Sequence, residues 1–206
     1  MAQTRRMVIF DLDGTLTRPH LDFDLIRREI GVDSEPILEA VGRMTAEARS
    51  RAEAILVRHE SEAAAASVLQ AGAAEVIAAI RKRGWPVALM TRNTRDSVQA
   101  FQIRHGIEFD LIRTREDGPF KPSPEPVLDL CGARGIAAAN TWVVGDYHYD
   151  ILCGNAAGAT TVLLWESGQP RPAWADEADH VISKLSELLQ HLDEADRHGD
   201  ACSTRE

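Results

Sequence analysis

This sequence contains little cysteine, fewer cationic than anionic side chains, and no long apolar run. Three cysteines occur among 206 residues, and the odd number and wide spacing of Cys131, Cys153 and Cys202 exclude a disulfide framework or a cysteine zinc site. With 23 Lys and Arg against 32 Asp and Glu, the net charge of -9 argues against a nucleic-acid partner. No apolar stretch approaches the roughly 20 residues that cross a membrane.

The composition instead favours a compact protein of a reducing compartment. With 44% hydrophobic residues, 206 residues can bury one full domain and a small appendage. Only the apolar run 7–10 precedes Asp11, which is too short for a secretory signal, and the odd cysteine count fits reducing conditions. We therefore expect a cytoplasmic monomer or homodimer with no membrane or nucleic-acid partner.

Strand patterns alternate with helical patterns along most of the chain. This alternation is typical of an α/β fold with helices on both faces of a parallel sheet. The predicted strands cover residues 7–12, 86–90, 109–112, 141–145 and 160–165, with 180–182 as a possible edge strand. The predicted fold class is a doubly wound, Rossmann-like parallel sheet.

Residues 18–70 interrupt the alternation, because they carry helical patterns without a strand. Ser34 with Pro36 marks one helix start and Thr45 marks another. Apolar positions after Thr45 keep a helical spacing, namely Ala48, Ala52, Ile55, Ala63, Ala66 and Leu69. We predict a small α-helical insertion at 18–70, hinges near 17–19 and 70–73, and a core domain of 1–17 and 71–193. The polar segment 194–206 is predicted to be a flexible tail.

Four polar sites follow or adjoin the predicted strands. The segment Asp11-Leu12-Asp13-Gly14-Thr15 comes directly after the first strand, and Thr91 follows the second. Lys121 stands before Pro122-Ser123-Pro124, and Gly145-Asp146 ends the fourth strand, with Asp150 one helical turn later. Open α/β sheets bind ligands beyond the carboxyl ends of their strands. The four sites are therefore predicted to meet at one edge of the sheet.

Taken in this order, the four sites resemble the signature of the haloacid dehalogenase superfamily of phosphotransferases. The layout is nearest to phosphoglycolate phosphatase-like members with a short helical cap of the C1 type. The resemblance implies that Asp11 attacks phosphorus to form an aspartyl-phosphate, and that Asp13 protonates the leaving group and then activates water. Lys121 and the Thr91 hydroxyl would hold the phosphoryl oxygens. The implied activity is hydrolysis of a small phosphorylated metabolite.

The resemblance also implies a divalent cation, because a carboxylate nucleophile must approach a phosphate dianion. Mg²⁺ prefers oxygen ligands, and the implied set is Asp11, Asp13 through its backbone carbonyl, Asp146, and Asp150 as a residue that orients bound water or Lys121. Simpler interpretations stay open at two positions. Thr91 could be a helix N-cap, and Asp150 could be a first-turn acid favoured by the helix dipole.

Residues near these sites are candidates for substrate recognition. Arg92 must lie near the site because of its place in the sequence, although its side chain could point away from the sheet edge. In the insertion, Arg18 and His20 are preferred because they are closest in sequence to the first motif. Any of residues 147–149 could line the pocket. The predicted substrate contacts are Gly14, Thr15, Arg18, His20, Arg92 and Asn93.

Other activities of the superfamily fit the residues less well. A dehalogenase needs neither a metal nor the second acid, and a phosphonoacetaldehyde hydrolase needs a cap lysine, whereas no lysine precedes Lys82. A sugar-phosphate mutase shares every core motif, and the short insertion favours a hydrolase over it. A catalytically silent protein that binds a phosphorylated ligand is also open, although it would not need the full set of acids and the lysine.

Overall fold

Six short strands form one parallel sheet in the computed structural model, which describes residues 5–166 and 168–202, without the side chains of 198–202. The strands are β1 (Met7–Phe10), β2 (Val87–Met90), β3 (Leu111–Arg113), β4 (Thr141–Gly145), β5 (Thr160–Leu164) and β6 (His180–Ile182). Their order is β3-β2-β1-β4-β5-β6, and every neighbouring pair is parallel. All six predicted strands are present, with bounds shifted by a few residues.

The order of the strands places a topological switch between β1 and β4. The chain runs from β1 through β2 to β3 on one side, and then returns to β4 on the other side of β1. The backbone N–H of Asp11 donates to the carbonyl of Val144 at 2.9 Å, which extends the β1–β4 pairing by one residue. The loops that follow β1 and β4 therefore lie side by side, where open α/β sheets bind ligands.

Helices cover both faces of this sheet. Val8 and Phe10 pack into one hydrophobic cluster, whereas Met7 and Ile9 pack into another, because alternate side chains of a strand point to opposite faces. The first cluster is covered by α4 (Ala73–Lys82), α5 (Arg95–His105) and α8 (Leu188–Cys202), and the second by α6 (Glu125–Arg134) and α7 (His148–Ala157). Short 3-10 helices lie at Arg115–Asp117, Ala138–Asn140, Ala173–Glu177 and Leu185–Glu187.

Three further helices lie between β1 and β2. They are α1 (Phe23–Ile30), α2 (Ile37–Gly42) and α3 (Ala46–Ala66). Thr45 caps α3 as predicted, since its hydroxyl oxygen accepts a hydrogen bond from the Ala48 N–H at 3.4 Å. The three helices share a small hydrophobic cluster of their own. The predicted fold class, a doubly wound parallel sheet with a small helical insertion after the first strand, is confirmed; we call residues 18–70 the cap.

Two linkers connect the cap to the core, and they pair with each other. The Gln70 N–H donates to the Leu16 carbonyl at 2.8 Å, and the Arg18 N–H donates to the Val68 carbonyl at 2.9 Å. Between these two bonds, Thr17 and Leu69 form an antiparallel bridge. The outgoing and returning segments thus form a short two-stranded ribbon beside the loop of Asp13.

The end of the chain differs from the prediction of a flexible tail after residue 193. Helix α8 continues to Cys202, and Arg6 donates to the Asp196 carboxylate and, at 2.9 Å, to the Ala195 carbonyl. Ala195 extends the apolar stripe of Leu188 and Leu192, but its small side chain hides the periodicity in the sequence. Residues 203–206 lie outside the described residues. Among those described, no helix has the length and apolar character needed to cross a membrane.

Candidate active site

Lys121 joins two of the predicted acids at the carboxyl edge of the sheet. Its Nζ donates to Asp11, and also to Oδ1 of Asp150 at 2.7 Å, and all three side chains are buried. Burial lowers the pKa of Lys121, but the Asp11 and Asp150 carboxylates more than offset this effect, so that its pKa is raised. Lys121 is therefore a fixed ammonium group beside the predicted nucleophile.

Asp146 completes an acidic cluster with Asp11 and Asp150. One carboxylate oxygen of each residue lies within 4.8 Å of the others. Burial and the repulsion of Asp150 and Asp146 raise the pKa of Asp11 against the attraction of Lys121, and burial with Asp150 raises the pKa of Asp146 to about 7. One ammonium group does not balance three carboxylates. An oxygen-only donor set with excess negative charge fits Mg²⁺, and these three residues could hold it.

Two glycines let the loops of this cluster come together. A Cβ on Gly14, whose φ is +84°, would lie 2.1 Å from Oδ2 of Asp146. A Cβ on Gly145 would lie 2.1 Å from the carboxyl carbon of Asp150. Neither position can accept a side chain in this arrangement. Thr15, a predicted substrate contact, is instead buried and donates from its hydroxyl to Oδ1 of Asp146 at 2.9 Å.

Asp13 is held separately from the three clustered acids. Nδ2 of Asn93 donates to Oδ2 of Asp13 at 2.5 Å. Burial raises the pKa of Asp13, although the Asn93 hydrogen bond and the charge of Lys121 act in the opposite direction. A carboxyl group with a raised pKa is suited to hold and deliver a proton. Asn93 therefore positions Asp13, in addition to lining the cavity described below.

Thr91 does not cap a helix. Its Oγ1 accepts a hydrogen bond from the Asn93 N–H at 3.1 Å, whereas α5 is capped by Thr94, whose Oγ1 accepts from the Ser97 N–H at 3.3 Å. The alternative interpretation of Thr91 is therefore wrong. Asp150 is both a first-turn acid of α7 and a partner of Lys121. Its Oδ2 accepts from the Tyr147 N–H at 3.2 Å at the start of α7, while its Oδ1 pairs with Lys121.

Arg92, the strongest predicted substrate cation, is bound by the cap. Its Nη2 lies 2.8 and 2.7 Å from the two carboxylate oxygens of Glu39 on α2. The guanidinium carbon also lies 4.8 Å from the ring centroids of both Phe120 and Tyr149. These three partners engage the charge of Arg92. Arg92 thus connects the Thr91 loop to the cap.

A cavity of about 390 Å³ separates the acidic cluster from the cap. His20 lines it, as does Gly14, whereas Arg18 is exposed and is absent from its wall. Of residues 147–149, the two tyrosines line it, and His148 instead stacks on Trp174 with ring centroids 4.7 Å apart. The core wall includes Asp11, Asp13, Gly14, Thr91, Arg92, Asn93, Lys121, Asp146 and Asp150.

Glu60 is a cavity residue that our sequence analysis did not identify. It belongs to α3, where the predicted apolar positions are only partly correct, since Ala52 and Ala63 are buried but Ala66 is exposed. The buried stripe contains Glu60 four residues after Leu56. The available signal was a glutamate at a core-facing position of a helix, which is unusual because an isolated buried carboxylate is costly.

Comparison with known proteins agrees with this geometry. The sequence model of the haloacid dehalogenase-like hydrolases matches residues 6–158. A haloacid dehalogenase-like hydrolase domain-containing protein of Arabidopsis thaliana is 31% identical over 93% of this chain and 86% of its own length. The pyrophosphatase PpaX of Bacillus velezensis is 30% identical over 56% of this chain and 55% of its own length.

The fold has close counterparts among solved structures. A crystal structure from Haemophilus somnus, described as a predicted phosphoglycolate phosphatase, superposes with a TM-score of 0.71. It is 21% identical in sequence, and the match covers 93% of this chain and 99% of that one. With the family match over most of the chain and a relative matched over nearly its whole length, this chain belongs to the haloacid dehalogenase-like hydrolases.

Proposed function

We propose that the chain is a Mg²⁺-dependent phosphatase that hydrolyses a small phosphomonoester through an aspartyl-phosphate on Asp11. The observation that carries the proposal is the convergence of Asp11, Lys121, Asp146 and Asp150 at the switch point of the sheet. The names of similar proteins, a pyrophosphatase and a predicted phosphoglycolate phosphatase, support hydrolytic phosphoryl transfer. The cavity of about 390 Å³ suits a small substrate.

In the proposed first step, an Oδ of Asp11 attacks phosphorus and the bond from phosphorus to the ester oxygen breaks. The Asp13 carboxyl gives its proton to the departing oxygen, and Asn93 keeps Asp13 in place for this transfer. Lys121 neutralises the nucleophile before attack and a phosphoryl oxygen during it. In the second step Asp13 takes a proton from the water that attacks phosphorus, and the bond to Asp11 breaks.

Mg²⁺ would be held by Asp11, Asp146 and Asp150, and when bound it would supply the positive charge that lets two anions approach. Asp150 also pairs with Lys121, and the Thr15 hydroxyl donates to Asp146. Lys121 and Asp146 are therefore each held in position by a neighbouring side chain. The Thr91 hydroxyl accepts from the Asn93 N–H and keeps its own proton for a phosphoryl oxygen.

The direct test is release of inorganic phosphate from a panel of small phosphomonoesters by the purified full chain. We expect release with Mg²⁺ and loss of activity with a chelator. Binding of an ester without release in the presence of Mg²⁺ would contradict the proposal and indicate a silent binding protein. Conversion of one sugar phosphate to its isomer, stimulated by a sugar bisphosphate, would indicate a mutase.

Mg²⁺ binding should weaken as the pH falls through 7, because the pKa of Asp146 is raised to about 7 in the metal-free protein and protons compete with the ion. We expect at least about a tenfold loss of affinity between about pH 8 and about pH 6, measured by calorimetry. Asp146→Asn should remove the part of this dependence that Asp146 contributes, whereas Asp11, whose pKa is also raised, retains its own part. Equal affinity at both pH values would contradict the assignment.

The same raised pKa has a consequence for stability without Mg²⁺. The folded protein keeps the Asp146 proton at pH values where the unfolded chain has lost it, so the contribution of Asp146 to the free energy of unfolding should fall as the pH rises from about 3.8 to about 7. Added Mg²⁺ should therefore raise the melting temperature more at about pH 8 than at about pH 5.5. A larger rise at the lower pH would contradict the prediction.

A further inference from the structure

The cap side of the cavity differs in chemistry from the core side. The cap contributes a mostly apolar wall, including Leu21, Phe23, Ile26 and Leu56. Among the cap residues that line the cavity in the described part of the chain, Glu60 alone is acidic. This carboxylate belongs neither to the acidic cluster nor to the groups that the proposed chemistry uses.

Glu60 is buried, and its two oxygens have different surroundings. The side chain is 5% exposed, and Oε1 accepts a hydrogen bond from Nη1 of Arg115. Oε2 is shielded from solvent and forms no hydrogen bond of ordinary geometry among the described residues, although the Thr94 backbone N–H lies close enough to the carboxylate to lower its pKa. Buried carboxylate oxygens are nearly always hydrogen-bonded, so an acceptor without a donor beside a ligand cavity indicates a missing partner.

The connection between cap and core accounts for only one of these oxygens. Arg115 donates to Oε1 of Glu60 and also, at 2.9 Å, to the carbonyl of Arg92. This contact fixes α3 to the core without using Oε2. A residue with a purely structural function would need one acceptor here, and Glu60, which lines the cavity, has a second oxygen that this contact does not use.

We propose that Oε2 of Glu60 accepts a hydrogen bond from the organic part of the substrate, so that the enzyme prefers phosphomonoesters that carry a hydroxyl or ammonium donor. The inference rests on the proposed phosphatase function and names its substrate class. Glu60 is then a specificity-determining residue on the cap, which reaches the substrate on the side opposite to Asp11.

The charges around Glu60 disfavour an acidic leaving group at this place. The Asp13 carboxylate is close enough to act on Glu60, and their mutual repulsion contributes to a raised pKa of Glu60 after the larger effect of burial. Arg92 is engaged by Glu39, and Nη1 of Arg27 pairs with Asp24 at 3.0 Å, while the buried Nε of Arg27 has no hydrogen-bond partner among the described residues. A substrate carboxylate placed beside Glu60 itself would be repelled by it, whereas a donor there would meet an acceptor.

Matched esters test the inference, because they differ only in the donor. We suggest propyl, 2-hydroxyethyl and 2-aminoethyl phosphate, and the longer set of pentyl, 4-hydroxybutyl and 4-aminobutyl phosphate. The measured quantity is the ratio of kcat/KM for a donor ester to that for its alkyl match. We expect this ratio to be at least about ten for one of the two sets in the unmodified protein. Comparison of the hydroxyl ester with the ammonium ester of that set then shows which donor is preferred.

Glu60→Gln is the informative variant. Its amide oxygen can still accept from Arg115, while its NH₂ group replaces Oε2 with a donor. The ratio is expected to fall at least about tenfold. Glu62→Gln on the same helix is the matched control, because Glu62 is exposed and its replacement should leave the ratio unchanged. Thermal unfolding of both variants checks that the cap is intact.

Three outcomes would overturn the inference. An equal loss of kcat/KM for all esters in Glu60→Gln, with an unchanged ratio, would show that Glu60 only fixes the cap. Hydrolysis of p-nitrophenyl phosphate together with a ratio near one in both sets would refute the donor preference but leave the phosphatase proposal standing. Failure to release phosphate from any ester in the presence of Mg²⁺ would refute both.

Discussion

Asp11→Asn is expected to abolish phosphate release, with kcat reduced by roughly a thousandfold or more. An amide is a poor nucleophile, and it also removes one negative charge from the cluster that faces Mg²⁺. The protein should stay folded, because the amide oxygen can still accept from Lys121 and the pKa of the Asp11 carboxyl is already raised by burial. Steady-state phosphate release in the presence of Mg²⁺ measures the effect.

Asp33→Asn is a suitable control, since Asp33 is an exposed cap residue outside the cavity wall. It should behave like the unmodified protein. Asp11→Asn should also fail to retain ³²P from a labelled ester after acid quenching, whereas the unmodified protein should be labelled transiently. If Asp11→Asn kept more than about a tenth of the activity, Asp11 could not be the nucleophile.

Asp13→Asn should affect substrates unequally. For an alkyl phosphate we expect kcat/KM to fall roughly a hundredfold to ten-thousandfold, because the departing alkoxide needs the proton of Asp13. For p-nitrophenyl phosphate the first step needs little protonation, so the loss of kcat/KM, which reports the steps up to departure of the leaving group, should be smaller. The hydrogen bond from Asn93 holds Asp13 at 2.5 Å, and Asn93→Ala should produce a weaker version of the same pattern.

Rapid-quench kinetics separate the two steps. With the aryl ester, Asp13→Asn should release one equivalent of p-nitrophenol quickly and then stall, because no base activates the water for the second step. Equal losses for alkyl and aryl esters, with no such burst, would remove Asp13 from proton transfer.

The core of the site could be predicted because local sequence determines it. A short apolar strand such as β1 leaves its next residues at the sheet edge, and the alternation of strands and helices makes the sheet parallel. The positions of Asp11 and Asp146 then follow from strand order. Gly14 and Gly145 are motif residues, and only the three-dimensional structure shows why glycine is needed at these positions. Each lies where a Cβ would collide with a carboxylate.

Contacts between cap and core could not be predicted in the same way. The Arg92–Glu39 and Arg115–Glu60 pairs join residues 53 and 55 positions apart in the chain, and no local pattern selects one arginine among many. The sequence predicted that Arg92 lies near the site. Whether the charge of Arg92 is available to a substrate depends on its partner Glu39, which the sequence does not reveal. Glu60 was hidden for a related reason, because a glutamate on a helix is usually solvated.

The paired linkers beside Asp13 limit how the cap can swing. The Leu16–Gln70 and Arg18–Val68 hydrogen bonds hold the two linkers together. The paired linkers should therefore act as a hinge that lets the cap rotate about one axis and resists twisting or sliding. Asp13 forms a bridge with Thr17 at the foot of this hinge. Rotation of the cap and the position of Asp13, the proposed proton donor, are therefore expected to be mechanically linked.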